Sequence, residues 1–429
     1  MAASNRTTSV KESIATLGIG AVLLIAGFWL AYQFVEPAPP TSISISTGSE
    51  EGAYYAYALQ YKELLAKQGI TLNIATSAGS SENLERLLAD KTDLAFVQGG
   101  LTQANTPLQS LGSLYYEPVW LFHQANQSIN KLTDLAGMKI AIGPEGSGTR
   151  SLASLLLNDN KLDESKVELL DDTGSSAAKK LLSADIDAAF FIGAVQSPVI
   201  LQLLQAPSVS LLSINRAEAY KRLHPFLSRI TLPEGVIDLQ KNLPSSDKLL
   251  LAPTANLLMH ADFHPALSVL VLQAIKKAHQ PSGIFSTAKQ FPNGDKLTAP
   301  INDVAERFYK NGPPFLMRYL PFWAAIMIDR FIVMIIPLLA LLIPLFKVMP
   351  PLYRWRISSR IYRWYEELHE VDDQSHGKQL GEEQRQLLEK KLSHIENEVN
   401  KVKTPLSYAE KVYQLLVHID LIRQKLHKR

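Results

Sequence analysis

Residues 42–68 read "SISISTGSEEGAYYAYALQYKELLAKQ". Ile43 and Ile45 alternate with serines, the period-two pattern of a strand with one buried face, and from Ala53 to Lys67 the spacing turns helical. Between them "STGSEEGAYYAY" (Ser46–Tyr57) is a turn of glycine and hydroxyl residues ending in two adjacent tyrosines. Such a junction can cradle a phosphate, raise a nucleophile, or hold a small solute on the unpaired N–H groups of the helix start. The rest of the chain chooses among the three.

The strand and helix rhythm continues outward. "TLNIATS" leads to the helix "SENLERLLADK", and "DLAFVQ" closes a third strand; later "KIAIG", "TRSLASLLLNDN", "VELL", "SSAAKKLLSAD" and "DAAFFIG" repeat the pattern. This alternation predicts parallel sheets covered by helices. Between the two sets lies "LGSLYYEPVWLFHQAN" (Leu111–Asn126), a strand-like run able to cross between lobes, and "DKLLLAPTANLLMH" (Asp247–His260) offers the return crossing. Two α/β lobes joined by two crossings make a clamshell with ligand loops at the strand ends. The boundaries read as lobe 1 over 43–122 and 252–320, and lobe 2 over 123–251.

Composition narrows the function. The chain has 429 residues, 46% of them hydrophobic, a formal net charge of +2 and no cysteine. Disulfides, thiolate metal sites, a cysteine nucleophile and a lipidated N-terminal cysteine are excluded, and no global field points to nucleic acid. Residues 14–35 are uncharged over about the roughly 20 residues that span a bilayer, behind the basic Arg6 and Lys11 of a 1–13 cytoplasmic segment. A second apolar run, "FIVMIIPLLALLIPLF" (Phe331–Phe346), extends upstream through an interfacial segment that begins at residue 321. Lys347, Arg354, Arg356, Arg360 and Arg363 follow it before any acidic residue, the mark of the cytoplasmic side. The expectation is two transmembrane helices and both termini inside, with a cleaved signal peptide as the rival reading of the first run, against which stand its length and the missing A-x-A pattern. Residues 36–42 are then a proline-rich linker, 43–320 an outside domain, and 347–429 a tail. In that tail Leu388, Leu392, Ile395, Val399 and Val402, then Val412, Leu415, Leu416, Ile419 and Ile422, predict a helical hairpin about "TPLS".

The loops select the chemistry. "GSSENL" and "GSGTR" each place glycine and hydroxyls just before a helix, where N–H groups and the helix dipole favour an anion. Ser147, Gly148 and Thr149 offer donors and Arg150 a bidentate contact to a carboxylate; for either loop alone, ordinary N-capping explains the residues equally well. The phosphate-loop ending Gly-Lys-Ser/Thr, the dinucleotide fingerprint and the nucleophile elbow G-x-S-x-G are all absent, so neither nucleotide binding nor hydrolysis is expected. His260 and His264 make a poor metal pair because Pro265 begins a helix beside them, and no cofactor is expected. Tyr54 and Tyr55 point in different directions, one to the core and one to the cleft. Phe190 and Phe191 pose the same choice, with Phe191 the candidate for the cleft.

Together "STGSEEGAYY", "TSAGSSENLERLLADKTDLAFVQ", "LGSLYYEPVWL", "KLTDLAGMKIAIGPEGSGTR" and "DAAFFIGAVQSP" resemble, in order, the solute-binding subunits of tripartite ATP-independent periplasmic (TRAP) transporters, in the TAXI branch. The resemblance covers roughly residues 41–320. It implies a type II periplasmic-binding-protein fold, no catalysis, and a small acidic solute such as glutamate, glutamine or a dicarboxylate. By motif position it puts Thr47, Gly48, Tyr54, Tyr55, Ser77, Ser80, Asn83, Gln98, Ser147, Thr149 and Arg150 near the ligand. The first loop departs from the family's T-G-G-x-G-G-x-Y-Y, with Ser49 at the second glycine and Glu51 at the third, and Glu51 is placed to meet a ligand ammonium. The membrane spans are a second departure. The expected protein is a two-pass receptor of the bacterial inner membrane with a periplasmic clamshell, serving TRAP-type transporter subunits; the alternative is a ligand sensor that signals through the second span.

Overall fold

The computed structural model describes residues 22, 25–29, 32–33, 37–102, 106–375, 381–401 and 409–427. Pro37–Ile328 form one compact unit, and Asp329–Arg429 belong to a second.

The first unit opens with β1 (Ser42–Ser46), α1 (Ala53–Ala66), β2 (Thr71–Ala75), α2 (Ser80–Leu88), β3 (Leu94–Gln98) and β4 (Leu108–Tyr116). Then come β5 (Val119–Gln124), β6 (Lys139–Ala141), α3 (Gly148–Asp159), β7 (Glu168–Leu170), α4 (Gly174–Leu182), β8 (Ala188–Ile192), α5 (Pro198–Gln205) and β9 (Val209–Leu211). After α6 (Ala217–Leu223) the strands β10 (Ser228–Leu232) and β11 (Lys248–Ala252) form an antiparallel pair; β12 (Thr254–His260), α7 (Pro265–His279), α8 (Asp303–Asn311) and α9 (Phe315–Tyr319) complete the unit up to the start of the next helix.

Two five-stranded sheets carry the same order, β2-β1-β3-β12-β4 and β7-β6-β8-β5-β9. In each, four strands run the same way, three of them paired in parallel as the alternation predicts, but β12 and β5 run antiparallel to their neighbours. The expected all-parallel sheets are therefore mixed, because each crossing segment enters the far sheet from the opposite end.

Both crossings break at a proline. Leu111–Asn126 is two strands interrupted at Glu117-Pro118, β4 in the first sheet and β5 in the second, and the return is interrupted at Pro253 between β11 and β12. Proline cannot donate to a ladder, so each strand ends there. The breaks lie side by side, the Glu117 N–H donating to the Pro253 carbonyl at 2.9 Å.

Each sheet is buried on both faces. Ile43, Ile45, Phe96 and Leu257 face α1, α7 and α8, which bring Tyr54, Ala58, Tyr61 and Leu65 in a helical stripe and Leu272, Ile275 and Phe308. Ala95, Val97 and Leu258 point the other way, onto Leu87 of α2. Alternate residues of one strand thus feed two cores, which is why "LAFVQ" is buried throughout. In the second lobe, Ile140 and Phe190 go to one face and Ala141 and Phe191 to the other.

The helix α10 runs Phe322–Ser375. Its stretch Phe322–Val348, 27 residues, is long and apolar enough to cross a membrane, and none of its most apolar window is buried in protein. Among the described residues it is the one such helix; most of the expected first span, 14–35, lies outside them. In the second unit, α11 (Glu382–Lys401) and α12 (Ala409–His427) bury Leu388, Leu392, Ile395, Val399, Leu415, Ile419, Ile422 and Leu426. The hairpin expected from the sequence has a third partner, since Ile361, Trp364, Leu368 and Val371 of α10 share the same core. Val402 and the "TPLS" turn lie outside the described residues.

Candidate functional site

The loops after β1, β2 and β3 meet the loop before α3 where the two lobes touch. α2 starts at Ser80 after Gly79, and α3 starts at Gly148 after Ser147. The two helix starts face each other. The amides of Ser81 and Glu82 both donate to the carbonyl of Gly146, each at 3.2 Å, and the Ser81 and Ser151 hydroxyls meet at 3.1 Å. The positive end of α2 therefore holds an oxygen, supplied here by the other lobe.

Two glycines permit that approach. Gly79 sits at φ +140°, and a Cβ there would lie 3.3 Å from Ser147 Cα and 3.4 Å from the Gly148 nitrogen. Any other residue would be strained at this φ and would press on the opposite backbone. A Cβ on Gly148 would fall 2.4 Å from Gln98 Oε1 and 3.2 Å from Ser80 Oγ.

The candidate residues divide into three groups. Ser80, Gln98 and Gly148 are buried and form the lobe contact itself. Glu51 joins them at the rim, its Oε2 accepting from the Ser175 hydroxyl of α4 at 3.1 Å.

A second group shapes the loops from within each lobe. Asn83 donates to the Phe96 carbonyl at 2.8 Å, and its Oδ1 accepts from Ser46 and Ser77, each at 2.6 Å. Thr47 is tied to Ala75 through its N–H and hydroxyl, and Gly48 beside it is buried. Ser147 caps α3 by accepting from the Arg150 N–H at 3.2 Å, the ordinary capping role open to it from the start. The Arg150 guanidinium bonds the Gly143 carbonyl at 2.9 Å and Asp171 at 2.6 Å, both in its own lobe.

The aromatic residues and Thr149 form the third group. Tyr55 and Thr149 are half-buried. Tyr54 is buried and stacks on Phe96 at 4.9 Å, with its hydroxyl turned to the lobe contact. Phe190 and Phe191 are both core, Phe191 lying edge-on to Phe122 at 6.0 Å; the expectation that one lines the cleft is not met, because β8 has a core on each side. His264 caps α7 and its Nε2 lies 3.0 Å from the Pro37 carbonyl, while His260 contacts the Leu87 carbonyl and Asp90.

The sequence reading missed Glu117. It is 4% exposed, and its Oε2 accepts from the Tyr54 hydroxyl at 2.9 Å while Oε1 lies 3.5 Å from the Tyr115 hydroxyl. Burial pushes its carboxyl up to about 7 even though both phenols pull it down. Behind it, His279 packs against the rings of Tyr57 and Tyr115 and bonds the Tyr61 hydroxyl at 2.6 Å; burial pushes it down to about 3, so it is neutral. A signal for Glu117 was present: it is the one acidic residue within Leu111–Asn126.

Residues 45–245, just under half of the chain, match a family described as the NMT1-like family. Among solved structures the chain is similar to the periplasmic aliphatic sulphonate binding protein SsuA from Escherichia coli, at 17% identity over 56% of this chain and 73% of that one, with a TM-score of 0.38. It is also similar to the amino acid ABC transporter substrate-binding protein AbpA from Streptococcus pneumoniae, bound to L-arginine, at 16% identity over 55% and 88% of the two chains, with a TM-score of 0.36. At such values the fold rests on the strand order of the chain itself.

Proposed function

We propose that this chain is a membrane-anchored solute receptor. Its two lobes close on a small carboxylate outside the inner membrane of a bacterium and present it to a TRAP-type secondary transporter, and the fold is the type II periplasmic-binding-protein clamshell. One observation carries the reading: two helix starts on opposite lobes face each other at a hinged contact, and the α2 amides already hold a carbonyl oxygen there. A ligand carboxylate offers the same kind of acceptor with more charge, which is what such a position favours. The role is binding, with no catalytic step.

Anchoring is supported by the apolar stretch of α10 and by what precedes it. Phe315, Tyr319 and Trp323 stand four residues apart, each at least two-thirds exposed, where aromatic rings suit the headgroup level. Native mass spectrometry of the full chain purified in mild detergent tests the reading. A co-purifying small carboxylate, displaced by excess of the same compound, is expected. Absence of any bound or titratable acid across a panel of mono- and dicarboxylates and amino acids would refute it.

A further inference from the structure

Glu117 occupies the point where the two crossings break. Its backbone is bonded to Pro253 and its side chain is directed at Tyr54 and Tyr115. No basic side chain pairs with it among the described residues, and a buried carboxylate without a cation is a costly arrangement. The titratable groups around it are Tyr54 and Tyr57 of α1, Tyr115 of β4 and the neutral His279 of α7. A glutamine there would satisfy the same phenols without the charge.

The acid is connected to the lobe contact by a short polar chain. Tyr54 gives its one proton to Glu117, so at the 3.1 Å contact the Ser80 hydroxyl donates to Tyr54; Ser80 in turn accepts from the Gln98 N–H at 3.1 Å. Ser80 Oγ is the atom 3.2 Å from where a Cβ on Gly148 would stand. The lobe faces thus supply donors, in the amides at the α2 start, while the hinge end supplies an acceptor with charge. Donors at one end of this polar chain and a carboxyl at the other match a molecule carrying both a carboxylate and an ammonium.

We infer that Glu117 is the counter-charge for a ligand ammonium, which makes the ligand class amino acids rather than plain mono- or dicarboxylates. The inference rests on the receptor reading above. On binding, the ammonium takes the place of the Tyr54 hydroxyl at Oε2, or shares it, and a protonated Glu117 gives up its proton to solvent as the ion pair forms. Uptake at neutral pH is then accompanied by net proton release, since burial raises the free carboxyl toward neutrality and the ion pair lowers it again.

Calorimetry on the full chain in detergent at pH 7, with the matched pairs L-glutamate and glutarate, and L-alanine and propanoate, tests it. In at least one pair the amino member is expected to bind at least about tenfold more tightly, the scale of a hydrogen bond to a charged group. Buffers of different ionisation enthalpy are expected to report the proton release. Glu117→Gln is expected to abolish both the preference and the proton release while keeping the affinity for the amine-free acid. If that variant does not fold, the wild-type pair difference and proton release still decide. Equal affinity within each pair, or a Glu117→Gln variant that weakens both members alike, overturns the role of Glu117 and leaves the receptor standing. Binding of neither class, with the pairs extended to a panel of amino acids and their amine-free counterparts, overturns both.

Discussion

At the scale of single residues, the lobe contact is set by what is missing from two side chains. Gly148 is the first residue of α3 and needs no unusual φ, so alanine there changes chiefly the fit against Gln98, and to a lesser degree that against Ser80. Gly148→Ala is expected to leave thermal stability nearly unchanged, to weaken ligand binding at least about tenfold by holding the lobes apart, and to be rescued by Gln98→Ala. Unchanged affinity in the single variant would show that closure does not bring these atoms together. The buried acid and base make a second prediction. Glu117, raised to about 7 from an ordinary 4.5, keeps a proton in the fold that the unfolded chain has lost, so its contribution to stability falls as pH rises through that window. His279, lowered to about 3 from 6.5, stays neutral in the fold where the unfolded imidazole is charged, so its contribution falls as pH drops through that range. The two slopes oppose each other between the two ordinary values. With the opposing slope removed, the stability curve of His279→Gln itself is expected to fall with rising pH from about 4.5 to 7, and that of Glu117→Gln to fall with acidification below about 6.5, each by a few kcal/mol on the order set by ~1.4 kcal/mol per pKa unit. Denaturant titrations at a series of pH values read this directly, and parallel curves for parent and variants would contradict it.

At the scale of elements, the two prolines do more than end strands. They cut each crossing at the same level, so the short segments around Glu117-Pro118 and Pro253, joined by a backbone hydrogen bond, link the two sheets. That is the usual anatomy of a hinge, a few element-terminal residues that absorb the change in backbone angles. In the second unit the three-helix core has a clear centre: Leu392, Leu415 and Ile419 are completely buried, and Arg423 reaches Glu396 at 2.6 Å along its edge. Leu392→Ala is expected to destabilise that unit by about 2–5 kcal/mol, the range for a large-to-small change in a packed core. Arg423→Ala is expected to cost less than about 1 kcal/mol because its partners are partly solvated. Helical circular dichroism melts of the two variants check the order.

At the scale of the whole molecule, the question is what the tail is for. A tethered receptor meets its transporter at a raised effective concentration in the shared membrane, whereas a sensor needs its tail to report occupancy. Deleting residues 366–429 while keeping the basic flank is expected to leave solute uptake largely intact. Loss of uptake at normal protein level and normal ligand affinity would favour signalling through the helical unit.

Much of this was legible in the chain alone, for physical reasons. Alternation in "SISIS" and the stripe Tyr54, Ala58, Tyr61, Leu65 declare a strand and a helix because burial selects one face of each, and the apolar run near residue 331 declares a helix long and apolar enough to cross a membrane. The heptad-like leucines and isoleucines of the tail declared its packed face in the same way. What only the tertiary structure decided concerns residues whose partners are distant in sequence. Local pattern cannot state that Phe191 has a core behind it, that Arg150 turns to Asp171, or that the Gly146 carbonyl lies on the α2 amides. Glu117 is the sharpest case. In the sequence it is one charge in a strand-like run; its chemistry arises because residues 54, 115 and 253 converge on it and remove it from water, and desolvation is a property of the assembled neighbourhood rather than of any stretch of chain.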